Sequence, residues 1–313
     1  MQQPFSVIFY GTPEFAIPSL EAILKEGFNI QAIVTAPDKP AGRGLEMKRS
    51  AVGLFADKHH IPVLSPENLE DPAFLKTLHE LKPAIQVVVA FRKLPESVWS
   101  LPEIGTINLH ASLLPQYRGA APINWVIING ENESGVTTFF ISHKIDTGDI
   151  IMQERIAVED TDTAGTLHDK LSELGAGLLI RSLRALCKGS FPRVSQDFKN
   201  EIKKAPKLTK DICRIDWSLE LTVLYNFIMG LSPYPAAWTI LNGKLLKIYS
   251  TEKIQSEHQH IPGFVVTDFK SYLHIAVKGG FLSLTELQLE GRNKLTIQEF
   301  LKGIPKNQLP IFQ

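Results

Sequence analysis

The chain has 313 residues, of which 44% are apolar and 21% are charged, and its formal net charge at pH 7 is zero. This composition is typical of a soluble globular protein, and the length favours two domains over one core. The two cysteines fit neither a disulfide framework nor a metal-ligand spacing, and no stretch is apolar enough to span a membrane.

The charge distribution and the first residues bear on partners and location. Residues 1–198 carry five more acidic than basic side chains, and residues 199–313 carry five more basic than acidic ones. A basic C-terminal part is equally compatible with a polyanionic partner and with a chance solvated surface. The first fifteen residues lack the basic and apolar regions of a signal peptide, so we predict a cytoplasmic protein.

The first elements follow the order of a parallel α/β sheet. The apolar run FSVIFY (5–10) predicts a buried strand, a helix follows Pro13 and Pro18, and NIQAIVT (29–35) predicts a second strand. This order predicts a Rossmann-like parallel sheet. The turn after the first strand lacks G-x-G-x-x-G, which disfavours a dinucleotide cofactor.

Residues 37–50, PDKPAGRGLEMKRS, interrupt this pattern. The segment contains two prolines and two glycines, together with four basic side chains: Lys39, Arg43, Lys48 and Arg49. Its first half is not expected to form a strand or a regular helix. From composition alone a mobile connection is favoured over a binding element.

The middle of the chain brings an amide and an imidazole together. After a strand at 84–90 and the pair Phe91 and Arg92, Gly105 opens another strand that carries Asn108 and His110. Residues two apart in a strand project to the same side, here at a strand end, where open α/β sheets place their sites. On its own, an Asn-x-His sequence more often consists of a turn residue and a histidine whose hydrogen bonds are made within the fold.

A second polar loop follows the next predicted strand. It lies within residues 136–151, VTTFFISHKIDTGDII, and contains Asp146. A carboxylate on this loop could orient His110 and stabilise its charge if the two strands lie close together. The histidine and the aspartate therefore form a candidate pair that depends on the fold.

The remaining elements predict a second domain. Residues 163–188 predict a long amphipathic helix, and the polar, proline-containing segment 190–207 predicts a linker between domains 1–189 and 208–313. The second domain begins with a helix that Gly230 and Pro233 are expected to end. Several short strands with turns between them then predict a small β-barrel.

The run N-L-H-A-S-L-L-P at 108–115, followed by Asp146 in a D-T-G segment, closely resembles the 10-formyltetrahydrofolate-dependent formyltransferases. Residue types, order and spacing all match. The segments GTPEF, PAGRG and SPYPAAW further resemble the methionyl-tRNA formyltransferases, one branch of this family. The resemblance therefore covers nearly the whole chain.

The resemblance implies transfer of a formyl group from 10-formyltetrahydrofolate, as co-substrate, to the α-amino group of methionine on initiator tRNA, without a metal. It implies the catalytic residues Asn108, His110 and Asp146, and a folate pocket shaped by Ser112, Leu113, Leu114 and Pro115. It also implies that the acceptor stem of the tRNA meets the basic segment through Lys39, Arg43, Lys48 and Arg49. The C-terminal domain is expected to be an OB-like barrel that assists tRNA binding, and the protein is expected to be a monomer.

The resemblance leaves one departure and several alternatives. Phe91 and Arg92 stand where the family has tyrosine and glycine. Glycinamide ribonucleotide formyltransferases, nucleotide-sugar formyltransferases and folate hydrolase domains share the catalytic triple. The first lack a C-terminal barrel, and the second give no reason for the basic loop. A non-catalytic tRNA-binding module is the alternative of another class, and the intact triple argues against it.

Overall fold

The computed structural model describes residues 5–41, 46–196 and 201–304. By their contacts, residues 1–119, 134–156 and 168–204 form one compact unit, and residues 120–133, 157–167 and 205–313 form a second. Each unit is therefore assembled from three separate segments. The sequence-based domain bounds, with a linker at 190–207, stay a prediction.

The described residues contain strands and helices throughout both units. In chain order the strands are β1 (Ser6–Gly11), β2 (Asn29–Val34), β3 (Lys39–Ala41), β4 (Glu46–Lys48), β5 (Val63–Leu64), β6 (Ile85–Val89), β7 (Gly105–His110), β8 (Arg118–Gly119), β9 (Glu133–Phe140), β10 (Ile150–Ala157), β11 (Lys204–Ala205), β12 (Ala237–Leu241), β13 (Lys244–Gln255), β14 (Val265–Thr267), β15 (Leu273–Val277), β16 (Gly280–Leu289) and β17 (Leu295–Thr296). The helices are α1 (Ile17–Lys25), α2 (Ala51–Lys58), α3 (Pro72–Leu81), α4 (Glu96–Trp99), α5 (Pro122–Ile128), α6 (Ala164–Cys187), α7 (Leu221–Leu231) and α8 (Ile297–Leu301).

The first unit is built on a seven-stranded sheet in the order β10-β9-β7-β6-β1-β2-β5. Strands β5, β2, β1, β6 and β7 run parallel, whereas β9 is antiparallel to β7. The prediction of a Rossmann-like parallel sheet is confirmed, with an antiparallel addition at one side. Because β1, β6 and β7 are parallel and in register, their carboxyl ends lie together along one edge.

Apolar burial fixes the central strands. All five residues of β6 are buried, and only Ser6 of β1 is partly exposed. Such strands are covered on both faces, as their mostly apolar sequence predicts. Tyr10 belongs to the buried cluster, and burial raises the pKa of its phenol. The edge that carries the candidate residues is thus held by a packed core.

The second unit contains an antiparallel sheet in the order β12-β13-β16-β15-β14, and β17 pairs with β16. The predicted short strands are therefore confirmed. The predicted barrel closure is not seen, because the end strands β12 and β14 do not pair with each other in the described part of the chain. Strand β14 has only three residues and offers little backbone for such closure.

Helix α7 corrects the expected role of Gly230. The helix continues through Gly230 to Leu231, so this glycine does not end it. A Cβ atom there would lie 2.6 Å from Cγ1 and 2.9 Å from the backbone nitrogen of Ile128 in α5. Asn124 of α5 also donates a hydrogen bond of 2.7 Å to the carbonyl of Gly230. Gly230 therefore allows two helices of the second unit to pack closely.

The prediction that the first half of segment 37–50 forms no strand is wrong. Lys39–Ala41 and Glu46–Lys48 instead pair as a two-stranded antiparallel ribbon, with Pro40 opposite Met47. Each strand of such a ribbon has only one neighbour, so a proline without an N–H group is tolerated there. The basic side chains near this ribbon are thereby given defined positions.

Candidate active site

Strand β7 carries Asn108 and His110 into the middle of the sheet, between β6 and β9. Alternation along the strand sends both side chains to the same side. His110 is buried, whereas Asn108 is partly exposed. Across residues 5–41, 46–196 and 201–304, no hydrogen bond is made by the Asn108 amide, which leaves its donors free.

Two acceptors face the ring of His110. Its Nε2 atom lies 3.0 Å from the carbonyl oxygen of Tyr117. A carbonyl only accepts, so Nε2 must carry the proton of this bond. Nδ1 lies 3.9 Å from Oδ2 of Asp146, which is too long for a hydrogen bond but close enough for a charge interaction. Among the residues that the structure describes, Nδ1 is therefore the ring nitrogen of His110 that makes no hydrogen bond.

Asp146 reaches His110 from an unexpected direction. Because β9 is antiparallel to β7, the chain leaves Phe140 beside Ile107 and Thr106 rather than beside His110. The loop then returns toward the histidine, and the backbone N–H of Gly119 donates to Oδ2 of Asp146 at 3.0 Å. The carboxylate is largely buried, with 13% of its side chain exposed.

Gly148 makes this return of the chain possible. A Cβ atom at this position would lie 1.7 Å from the carbonyl oxygen of Phe140. The glycine of the D-T-G segment is therefore required by close approach of two backbone segments. The observation explains why this residue type follows the aspartate in the sequence.

Arg118 and Gln196 support the aspartate loop, and no sequence motif had pointed to either residue. Nε and Nη2 of Arg118 donate to Oε1 of Gln196 at 3.1 and 2.7 Å. Nε2 of Gln196 in turn donates to the carbonyl of Gly148 at 2.7 Å. Burial lowers the pKa of the Arg118 guanidinium and the nearby Asp146 carboxylate opposes this, so the group remains charged.

The loop after His110 is tied to β9 by buried hydrogen bonds. Thr137 donates to the carbonyl of Ser112 at 2.6 Å and accepts from the backbone N–H of Leu114 at 3.1 Å. Ser112, Leu114 and Pro115 are buried, and Leu113 is half-buried. These four residues therefore give the loop a fixed shape through packing, and the Ser112 hydroxyl is already bonded within the loop.

The basic residues of the 37–50 segment differ in what surrounds them. Lys39 and Lys48 are exposed and lie directly opposite each other in the ribbon. Arg49 instead forms a bidentate ion pair with Asp57, at 2.6 and 2.8 Å. Its guanidinium is thus engaged by the protein itself. Arg43 lies outside the described residues.

Phe91 and Arg92 both turn toward the protein. The ring of Phe91 meets Tyr10 edge-on, with 5.7 Å between ring centroids. Arg92 donates to the carbonyl oxygens of Pro66 and Glu67. These two side chains therefore connect neighbouring segments of the first unit.

The cysteines and the potential metal ligands form no second reactive centre in the part of the chain that the structure describes. In the described ranges, no group of three or more His, Cys, Asp or Glu side chains is placed to hold a metal ion, and no helix is long and apolar enough to cross a membrane. Cys187 and Cys213 are free thiols, and burial raises the pKa of both. A raised pKa disfavours the thiolate, so neither is a prepared nucleophile.

Comparison with known proteins places this geometry in context. The family model described as "Formyl transferase" matches residues 5–183, and that described as "Formyl transferase, C-terminal domain" matches residues 207–305. A Parabacteroides distasonis protein named "Methionyl-tRNA formyltransferase" is 49% identical over 312 residues, covering 96% of each chain. A Bacteroides fragilis protein of the same name is 46% identical over 310 residues, again covering 96% of each.

A solved structure extends the likeness to the fold. HypX from Aquifex aeolicus, in complex with tetrahydrofolic acid, superposes with a TM-score of 0.65 at 18% sequence identity. The match covers 98% of this chain and 50% of that chain. At this identity the likeness shows a shared fold.

Proposed function

Because the chain belongs to the formyl transferase family, we propose that it transfers a formyl group from 10-formyltetrahydrofolate to the α-amino group of methionine on initiator tRNA, in support of translation initiation. The relatives that are 46% and 49% identical carry the name of this activity. The tetrahydrofolic acid in the HypX structure supports a folate-derived formyl donor.

The free amide of Asn108, beside His110 at the end of β7, is the observation that carries this proposal. When an amine attacks a formyl carbon, the formyl oxygen acquires negative charge. A donor already placed at that oxygen stabilises the transition state more than the ground state. Asn108 offers such a donor without first breaking a bond within the described protein, and it fits a formyl oxygen of the substrate.

His110 and Asp146 would supply the proton chemistry. The attacking amine must be neutral, so a base has to remove the ammonium proton. Nδ1 of His110 is available for this, because Nε2 is occupied by the Tyr117 carbonyl. Asp146, 3.9 Å from Nδ1, would stabilise the imidazolium that results. Ser112, Leu113, Leu114 and Pro115 would form a rigid wall of the folate pocket.

The tRNA would meet the β3–β4 ribbon at Lys39 and Lys48. Side chains directly opposite each other in an antiparallel pair are about 5 Å apart at Cβ, and like charges there repel. A phosphate between the two ammonium groups would relieve this repulsion. Arg49 is engaged by Asp57 and is a weaker candidate for the same contact, and the role of Arg43 stays a prediction from the resemblance.

The double substitution Lys39→Gln/Lys48→Gln should raise the KM for charged tRNA and leave the folate KM unchanged. It should also flatten the dependence of log K on log salt for tRNA binding by roughly 0.7 to 0.9 per lost phosphate contact. The control is Lys58→Gln/Lys76→Gln, which removes two exposed positive charges on α2 and α3. Equal tRNA kinetics and salt slopes for the two double variants would reject the ribbon as a contact.

A formyl-transfer assay with charged initiator tRNA tests the function itself. We expect formylmethionyl-tRNA as product and no product from nucleotide-sugar amines. Transfer only to a sugar amine would establish the nucleotide-sugar alternative. Retained tRNA binding without transfer to any amine would establish a binding module.

The location and the oligomeric state of the protein are predictions with different grounds. The cytoplasmic location is predicted from the cysteine content of the sequence. The monomeric state is predicted from the resemblance. Size-exclusion chromatography with light scattering measures the latter directly.

A further inference from the structure

The segment after α6 is bound to the sheet rather than suspended between elements. Val194 exchanges backbone hydrogen bonds of 2.9 and 3.0 Å with Ile150, at the start of β10. The guanidinium of Arg193 lies over the ring of Phe140, 4.4 Å from its centroid. These contacts bring Gln196 beside Gly148, within the first unit.

Gln196 closes a ring of contacts around the aspartate. Its Nε2 atom donates to the Gly148 carbonyl, and its Oε1 atom accepts both bonds from Arg118. Gly119, next to Arg118 in the chain, donates to Asp146, two residues before Gly148. Residues 118–119 and residues 146–148 are thus linked twice. One link is the hydrogen bond from Gly119 to the Asp146 carboxylate, and the other is Gln196, which bonds to both Arg118 and Gly148.

The burial of Gln196 indicates that this ring of contacts is a specific part of the fold. Only 7% of the residue is exposed, although an amide side chain is costly to bury without partners. Both polar atoms of its amide group are satisfied by the two loops. The residue lies between the segments that the two family models match, 5–183 and 207–305, and inside the sequence predicted to be a linker.

We propose that Gln196 is a positioning residue for formyl transfer, which holds Asp146 at its distance from His110 by tying the Gly148 backbone to Arg118. This inference rests on the proposed function for its reaction, but its geometric content concerns only the coupling between the carboxylate and the imidazole. Without the amide of Gln196, the hydrogen bond from Gly119 to Asp146 is the link that still ties residues 146–148 to residues 118–119 in the described part of the chain. The carboxylate then samples longer distances from Nδ1, and the imidazolium loses its support.

The test is Gln196→Met, which preserves length and apolar volume but removes both hydrogen-bonding atoms. We expect kcat to fall about tenfold, the KM values for both substrates to change less than about threefold, and the imidazole of His110 to titrate at lower pH by NMR. The matched control is Gln31→Met on β2, which removes a side-chain hydrogen bond of 2.9 Å to the Leu81 carbonyl. This control should leave kcat and the titration of His110 unchanged.

A double-mutant cycle separates positioning from a general loss of stability. In the Asp146→Asn background, Gln196→Met should cause no further fall in kcat, because there is no charge left to position. If Gln196→Met does not fold, Arg118→Lys keeps the positive charge, loses the forked bond to Gln196, and should show the same titration shift. The proposal would be overturned if the two substitutions lowered kcat independently, so that their losses multiplied in the double variant. An unchanged titration of His110 in a folded Gln196→Met variant would overturn it as well.

The NMR readout also distinguishes this inference from the proposed function. It measures the coupling of His110 and Asp146 in the absence of any substrate. If the wild-type protein transfers no formyl group to charged tRNA, but Gln196→Met still shifts the titration of His110, the proposed function is refuted and the positioning role of Gln196 stands. If formyl transfer occurs but Gln196→Met leaves the titration of His110 unchanged, the proposed function stands and the positioning role of Gln196 is refuted.

Discussion

Asn108→Ala should lower kcat for formyl transfer about a hundredfold or more, with little change in either KM. A single donor to a developing oxyanion typically contributes about 3 kcal/mol to the transition state, which corresponds to roughly that factor. The loss appears in kcat because the bond strengthens only as the formyl oxygen becomes charged. His110→Ala should have an effect of at least similar size, because it removes the proton acceptor.

The controls use the same substitutions away from the site. Asn29→Ala removes an exposed amide at the start of β2, and His79→Ala removes an exposed imidazole on α3. Both should leave kcat unchanged. Steady-state kinetics and thermal unfolding of all four variants make the comparison. Near-normal kcat in folded Asn108→Ala or His110→Ala would remove that residue from the mechanism.

Asp146→Asn should cause the second large loss, together with a change in pH dependence. At about 4 Å, opposite unit charges interact by about 1 kcal/mol in water and about 4 kcal/mol at an effective dielectric constant of 20. Because the Asp146 side chain is largely buried, we expect a fall in kcat on the order of tenfold to a thousandfold. Loss of the carboxylate disfavours the imidazolium, so the limb of the pH–rate profile set by His110 should move to lower pH.

The asparagine retains an oxygen that can accept from the Gly119 N–H, so the loop has no reason to unfold. A pH–rate profile measured from about pH 5 to pH 9 covers the range in which an imidazole titrates. An unchanged profile with near-normal rate would show that Asp146 does not act through the histidine.

The sequence predicted what depends on local pattern. The spacing of Asn108 and His110 determines that their side chains share one side of β7, whatever the rest of the fold does. The mostly apolar runs of β1 and β6 indicated strands covered on both faces. The parallel sheet and the strand-end location of the candidate residues followed from these patterns.

Long-range contacts account for what the sequence did not predict. The approach of Asp146 depends on an antiparallel β9 and on a loop that returns past Phe140, neither of which has a local signature. Gln196 lies in a polar segment whose composition resembles that of a linker. Gly230 looked like a helix terminator because glycine favours helix ends, but its role depends on close contact with α5.

The packing of α5 on α7 has a consequence for the order in which the nascent chain can fold. Helix α5 leaves the ribosome about ninety residues before α7 begins. At the usual rates of synthesis this interval lasts roughly 5–20 s. During that time α5, whose Val126 and Ile127 are buried in the finished protein, lacks the helix that packs against it. Completion of the second unit is therefore timed by translation of the C-terminal part, although one of its helices is encoded in the first half of the chain.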